Sequence, residues 1–220
     1  MDIIALSMKN NILDDQIEYY RARAGEYDES TAGFADVFAP AKSMLQGLGK
    51  FDHILELACG TGFWTETLLQ MGRSVTAVDA APEMLDIARK RLGEDRIVYQ
   101  QADLFRWEPA QEYDLVFFAN WLSHVPPEAV DDFLNKVRRA VRAGGQIAIV
   151  DQHAPSADDK NVAKADIYAT RPLSDGREFT IVKAFYDLAE LQQKLERLGF
   201  EVRISKFTDT FFFLSGRMEI

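Results

Sequence analysis

Two glycines close behind a short apolar run mark the first place in this chain where chemistry is expected. The run Ile54 to Ala58 leads into Glu56-Leu57-Ala58-Cys59-Gly60-Thr61-Gly62. Glycine lets a chain turn sharply and lets a ligand come close to the backbone. Asp79 ends the next run, Ser74 to Val78, at the place where a carboxylate accepts hydrogen bonds from a ribose diol. It is also a candidate N-cap for a helix opening at Pro82. A third acid, Asp103, sits in Gln101-Ala102-Asp103-Leu104-Phe105, after the run Ile97 to Gln100. There it is suited to the exocyclic amine of a purine, with Leu104 and Phe105 flanking the ring and Ala102 beside them. Phe105 suits core packing equally. The fourth run, Tyr113 to Phe118, ends in Ala119-Asn120-Trp121-Leu122-Ser123-His124-Val125-Pro126. That segment faces the reactive part of a ligand across the switch point of the sheet.

What surrounds the glycines narrows the ligand. A dinucleotide needs a third glycine, for close helix–strand packing and for a pyrophosphate on the helix N-terminus. Here that position is Thr65, with the bulky Phe63 and Trp64 just before it. Glu56 puts an acid ahead of the loop. Both features suit a ligand that lacks a pyrophosphate and carries positive charge. S-adenosylmethionine, with its sulfonium and ammonium, is such a ligand. The expected contacts around the loop are Glu56, Ala58, Gly60, Thr61, Gly62 and Trp64. Asp79, Ala80 and Met84 follow from the second run, and Ala102 to Phe105 from the third. Ala119, Asn120, Trp121 and His124 follow from the fourth. A nicotinamide dehydrogenase is the competing reading, and a catalytically silent adenosylmethionine-binding regulator is another. Trp64 and Trp121 suit the core as well as a ligand. Cys59 reads as a packing residue rather than a nucleophile.

Strands must place these groups. Besides the four runs above, Gln146 to Val150 reads as a fifth strand, and helical patterns lie between most of them. Pro82 opens one helix, with Met84, Leu85, Ala88 and Leu92 inward. Pro127 opens another, with Val130, Phe133, Leu134, Val137 and Val141 inward, stopped by Gly144-Gly145. Alternating strands and helices imply right-handed βαβ units on a mostly parallel sheet. Upstream, Ile12 to Tyr27 is an amphipathic helix with Ile17, Tyr20, Ala24 and Tyr27 on one face, and Phe34 to Leu48 is a second helix. Downstream, Arg177 to Phe185 reads as an extra strand after the turn Ser174-Asp175-Gly176. Asp187 and Glu190 start a helix carrying Leu188, Leu191, Leu195 and Leu198, ended by Gly199. Phe200–Phe207 and Thr210–Gly216 read as two strands able to pair antiparallel.

The length of 220 residues suits one domain, and 47% hydrophobic with 27% charged residues fits an ordinary globular chain. A net charge of −10 repels phosphate backbones, so no nucleic-acid partner is expected. The densest basic run, Arg89-Lys90-Arg91, reads as a solvated helix face. One cysteine forms neither an internal disulfide nor a cysteine metal cluster, which points to a reducing compartment and no metal. No stretch reads as a signal peptide or a membrane span. The expected location is the cytoplasm, the expected partner a small molecule, and the expected state a monomer or homodimer.

Taken together, the quoted residues resemble class I S-adenosylmethionine-dependent methyltransferases. Glu56 to Gly62 resembles their first motif, Val78-Asp79 the acidic second and Ala102-Asp103-Leu104 the third, over about Ile54 to Asp151. The resemblance implies a Rossmann-like α/β sandwich with a mostly parallel seven-stranded sheet and an antiparallel C-terminal strand. Residues 1–220 would form one domain, with a helical lid at 1–49 and a substrate cap at 152–186. A narrower resemblance covers the flanks. Tyr19-Tyr20-Arg21-Ala22-Arg23-Ala24 with Glu26-Tyr27-Asp28 is similar to the N-terminal helix of a small bacterial group that includes a phosphonate O-methyltransferase. Phe117 to Pro126, and Asp175-Gly176-Arg177-Glu178-Phe179 with Ile181-Val182-Lys183, are similar too. This implies that Tyr27, Arg171 and Lys183 hold an anionic acceptor. Asn120 departs from that group, which carries histidine there.

Methyl transfer from a sulfonium is an in-line displacement, so the acceptor atom must be held opposite the sulfur and water excluded. A phosphonate or carboxylate oxygen is already anionic and needs cations rather than a base. Arg171 and Lys183 are the candidates, with Arg177 and Arg23 as alternates. A hydroxyl or amine acceptor needs a base, and His124 or His153 is the candidate. Lys183 shares a strand face with Phe179, Ile181 and Phe185, an odd place for a solvent lysine. Tyr20 and Arg23, on neighbouring faces of the first helix, suit a lid over the cofactor.

Overall fold

The computed structural model describes the backbone of residues 3–31, 33–154 and 167–220, and the side chains of these apart from 3–11, 30 and 31. Its strands in chain order are β1 (Phe51–Leu57), β2 (Gly72–Asp79), β3 (Ile97–Gln101), β4 (Tyr113–Ala119), β5 (Val141–Gln152), β6 (Tyr168–Pro172), β7 (Glu178–Val182), β8 (Phe200–Lys206) and β9 (Phe211–Met218). The helices are α1 (Ile3–Thr31), α2 (Phe34–Gln46), α3 (Thr65–Met71), α4 (Pro82–Leu92), α5 (Val130–Ala140) and α6 (Leu188–Arg197). Seven strands make one sheet in the order β3-β2-β1-β4-β5-β9-β8. β1 to β5 are parallel, and β9 runs antiparallel between β5 and β8. The Rossmann-like arrangement expected from the sequence is the one observed.

The central strands are buried on both faces, which is why they read as apolar runs rather than as alternating ones. Leu55, Leu57, Val116, Phe118, Ile147 and Ile149 pack against Phe133, Leu134 and Val137 of α5 and Leu191 and Leu195 of α6. Ile54, Val75, Leu115, Phe117 and Val150 pack on the other side with Ala41 and Leu45 of α2, Leu68 of α3 and Leu85 of α4. Burying a Leu or Phe this completely stabilises the fold by roughly 1.5–3 kcal/mol each.

Chain order reverses direction between β1 and β4. The sheet grows through β2 and β3 on one side and through β4 and β5 on the other, so a crevice opens beyond the carboxyl ends of β1 and β4. Register levels those ends: Leu57 pairs with Val78 and Phe118, Asp79 with Gln101, and Ala119 with Val150.

Several elements depart from the sequence expectation. Helix α1 begins at Ile3 rather than Ile12, since no Gly or Pro interrupts residues 3–12. Helix α5 stops at Ala140, and Val141 opens β5 opposite Tyr113. Gly144-Gly145 therefore does not end the helix. It lies inside β5, where the pairing jumps from Tyr113↔Val141 to Leu115↔Gln146. The extra strand is shorter than Arg177–Phe185. It pairs with β6 in a separate hairpin rather than with the main sheet, turning at Gly176 with φ +86°. Asp187 caps α6 as expected, accepting from Ala189 N at 2.9 Å and Glu190 N at 3.0 Å. Part of the cap, residues 155–166, lies outside the described residues. Among the described residues, no helix is long and apolar enough to cross a membrane.

Candidate active site

A cavity of about 550 Å³ lies at the crevice, floored by the ends of β1, β2 and β4 and walled by α1 and the β6–β7 hairpin. That volume is in the range of small-molecule sites. Two floor residues hold left-handed backbone without being glycine: Ala58 with φ +54° and Asn120 with φ +51°. They leave β1 and β4 on either side of the switch point, and both line the cavity. Asparagine tolerates this region better than alanine does.

The glycine loop is organised by Asp79. Its Oδ2 accepts from Gly60 N at 2.8 Å and its Oδ1 from Ala81 N at 2.9 Å. Burial pushes the Asp79 carboxyl up, while these backbone donors pull it back down. A carboxylate oxygen can accept more than one hydrogen bond, so ribose hydroxyls can still be received. Asp103 folds its own loop by accepting from Phe105 N at 2.9 Å, and Asp103, Leu104 and Phe105 line the cavity. Phe105 packs on Trp121 with ring centroids 5.4 Å apart, and Trp121 Nε1 is buried with no hydrogen-bond partner. Ala58, Gly60, Thr61, Trp64, Ala80, Met84 and Ala119 also reach the cavity.

Three expected contacts do not line it. Glu56 is 1% exposed and accepts from the Thr65 hydroxyl at 2.5 Å, beneath the loop rather than in it. Burial raises its carboxyl to about 8, against the pull of Thr65. Gly62 faces α4, where an added Cβ would stand 2.9 Å from Leu92 Cδ1. Ala102 uses its N–H to bond the Asp79 carbonyl at 3.0 Å. All three build the loops that carry the cavity wall.

Helix α1 covers the cavity. The Thr61 hydroxyl donates to Asp28 Oδ1 at 2.6 Å, and Arg91 reaches both Asp28 and the Thr61 carbonyl. Arg21 pairs with Glu83 of α4 at 2.9 Å, and Glu26 bonds Ser174 of the hairpin turn. On the cavity side, Arg23 donates to the Tyr19 hydroxyl at 2.9 Å, with its guanidinium 5.2 Å from the Tyr27 ring centre. Gln16, 2% exposed, ties three elements together. Its Nε2 donates to the His124 carbonyl at 3.2 Å and its Oε1 accepts from Val182 N at 3.1 Å.

The remaining wall holds His124, Arg171 and Lys183. His124 Nδ1 is 2.7 Å from the Val182 carbonyl, and the Tyr20 hydroxyl is 2.9 Å from Nε2. A carbonyl only accepts, so Nδ1 carries the proton and Nε2 accepts from the tyrosine. Both ring nitrogens of a neutral His124 are therefore engaged. Burial pushes the Tyr20 and Tyr27 hydroxyls above their ordinary range, which keeps them protonated. Lys183, just past β7, is 7% exposed and donates to the Ser123 hydroxyl at 3.3 Å. Arg177 stays outside, paired with Asp175, and His153 does not line the cavity. Gln16, Gln152 and the Asp151–Ser123 pair escaped the sequence reading. A carboxylate directly after the apolar run Ile147 to Val150 was the available signal for Asp151; Gln16 gave none.

The chain is similar to proteins of a known class. The methyltransferase-domain family model matches residues 54–145. Over 94% of this chain and 97% of the other, the fold superposes on the DhpI–SAH complex (TM-score 0.83, 37% identity) and on the DhpI–SAM–HEP complex (TM-score 0.84). A malonyl-[acyl-carrier protein] O-methyltransferase of Paenibacillus sp. is 30% identical over 169 residues, 70% of this chain and 59% of that relative, so the chain spans only part of its length. The S-adenosylmethionine-dependent methyltransferase from Mesorhizobium loti shares the fold at 22% identity and a TM-score of 0.63. The chain belongs to the S-adenosylmethionine-dependent methyltransferases, and S-adenosylmethionine is its cofactor. The residues present fit that group: a buried carboxylate at a glycine loop, an acid after β3, and Thr65 where a dinucleotide site needs glycine.

Proposed function

We propose that this chain methylates an anionic oxygen, a phosphonate or carboxylate, on a small molecule. The carrying observation is that both ring nitrogens of His124 are engaged, while Arg23, Arg171 and Lys183 line the same cavity. A cavity that gathers cations, with its histidine engaged at both ring nitrogens, suits an acceptor that is already charged. The O-methyltransferase name of the Paenibacillus relative supports oxygen as the acceptor atom.

Bound S-adenosylmethionine supplies a methyl on a sulfonium. Asp79 would hold the ribose diol and Asp103 the adenine amine, and Leu104 and Phe105 would flank the adenine. Arg171 and Lys183 hold the acceptor anion, Tyr27 bonds it, and the Tyr20–His124 pair fixes the wall beside it. Residues 1–49 act as a lid and 152–186 as a cap, excluding water from the displacement. Charge neutralisation by the cations orients the oxygen more than it activates it, so they must grip without quenching its nucleophilicity.

Product mass spectrometry after incubation with S-adenosylmethionine and a panel of phosphonates, carboxylates, alcohols and amines tests this. Methyl esters are expected. Methylation confined to amines or alcohols would overturn it.

A further inference from the structure

Asp151 is a charged residue directly after the apolar run Ile147 to Val150 of β5. It is 1% exposed, on the same side of β5 as Ile147 and Ile149, and does not line the cavity. Its Oδ2 accepts from Ser123 N at 3.2 Å, its Oδ1 from Gln152 N at 2.7 Å, and the Ser123 hydroxyl also bonds it. The oxygen of that hydroxyl accepts from Lys183 Nζ at 3.3 Å. The Ser123 carbonyl also takes Ala184 N at 2.8 Å, so one residue fixes both the backbone beside Lys183 and its head group. Among the described residues, the Phe185 ring stands 5.5 Å from Nζ, and the Tyr186 hydroxyl bonds the Val125 carbonyl at 2.5 Å. Burying an ammonium is costly unless a countercharge and hydrogen bonds accompany it. Among the described residues, Asp151 supplies that charge from behind, one hydroxyl away.

We propose that Asp151 is a positioning residue for the acceptor, which acts through Ser123 to hold the Lys183 ammonium charged and aimed into the cavity. This rests on the reading that Lys183 holds an anionic acceptor. Asp151 makes no contact with substrate, and three donors close off its oxygens, so it serves neither as a base nor as a ligand.

Two measurements on the full chain loaded with S-adenosylhomocysteine test it. One is methylphosphonate binding by calorimetry. The other is the pH at which Lys183 reacts with acetic anhydride, read by peptide mass spectrometry. D151N is expected to weaken methylphosphonate binding about tenfold or more and to move Lys183 acetylation to lower pH, with adenosylhomocysteine binding unchanged. S123A should do the same to a smaller extent, and it decides the matter if D151N does not fold. Parent-like methylphosphonate binding and acetylation in these variants, with binding lost in K183A, overturns the role of Asp151 alone. Methylphosphonate binding that survives in K183A overturns the acceptor reading beneath it.

Discussion

The Thr61 hydroxyl of the glycine loop donates to Asp28 of α1 at 2.6 Å, and Arg91 of α4 closes the triangle from behind. The loop that meets the cofactor and the helix that covers it are thus joined by one carboxylate. Asp28→Ala removes the joint without touching the cavity floor. It is expected to speed adenosylhomocysteine release severalfold in stopped-flow fluorescence. Because Arg91 and Asp28 are partly exposed, the parent should approach the mutant rate as salt is raised.

His124 offers a second test. Loss of a general base typically costs 100- to 10,000-fold in rate. His124→Asn keeps a side chain able to bond the Val182 carbonyl but cannot accept from Tyr20 as imidazole does. If the acceptor is anionic, kcat should fall by less than about 100-fold. A larger fall with an unchanged cofactor affinity would restore the base reading.

Arg171 stands on β6, outside the main sheet, and lines the cavity. Charge-assisted hydrogen bonds to a bound anion contribute about 1.5–3 kcal/mol. Arg171→Ala should therefore raise the acceptor KM by roughly 10- to 100-fold, with kcat and adenosylhomocysteine binding nearly unchanged. Steady-state kinetics against the acceptor and calorimetry against the cofactor product separate the two effects.

Glu56 gives the fold a pH dependence of unusual sign. Its carboxyl is raised to about 8 in the folded chain, from an ordinary value of 4.5. Between those values the folded state holds a proton that the unfolded state has lost, so this group makes stability fall as pH rises from about 4.5 to 8. Glu56→Gln keeps an acceptor for Thr65 and removes the titration. Its urea midpoint should vary less between pH 5 and pH 8 than that of the parent, and the difference should favour the mutant at the upper end.

Much of this was legible in the sequence because the relevant signals are local. Apolar runs ending at Gly60, Asp79, Asp103 and Asn120 are short-range patterns, and the sheet order that levels them follows from strand–helix alternation. Long-range partnerships were not legible. Glu56 reads as a ligand acid by its spacing, yet it turns under the loop because Thr65, nine residues on, offers a buried hydroxyl. Gly144-Gly145 carries a helix-stop signal, but Val141 already pairs with Tyr113, and cross-strand pairing overrides the local cue. Gln16 meets His124 and Val182 only after the chain has crossed the whole sheet, and no spacing encodes that.

Ala58 and Asn120 carry one more consequence, for anyone wishing to redesign the site. Both hold φ above +50° at the floor of the cavity. A left-handed backbone costs an ordinary L-residue roughly 1–2 kcal/mol, and branched side chains fare worse. The two positions nearest the switch point are therefore narrow channels for sequence change, open to glycine, asparagine and aspartate and nearly shut to valine or isoleucine. Libraries that seek new acceptors will find their usable diversity on α1 and on the hairpin strands β6 and β7 away from the Gly176 turn, where the backbone carries no such toll.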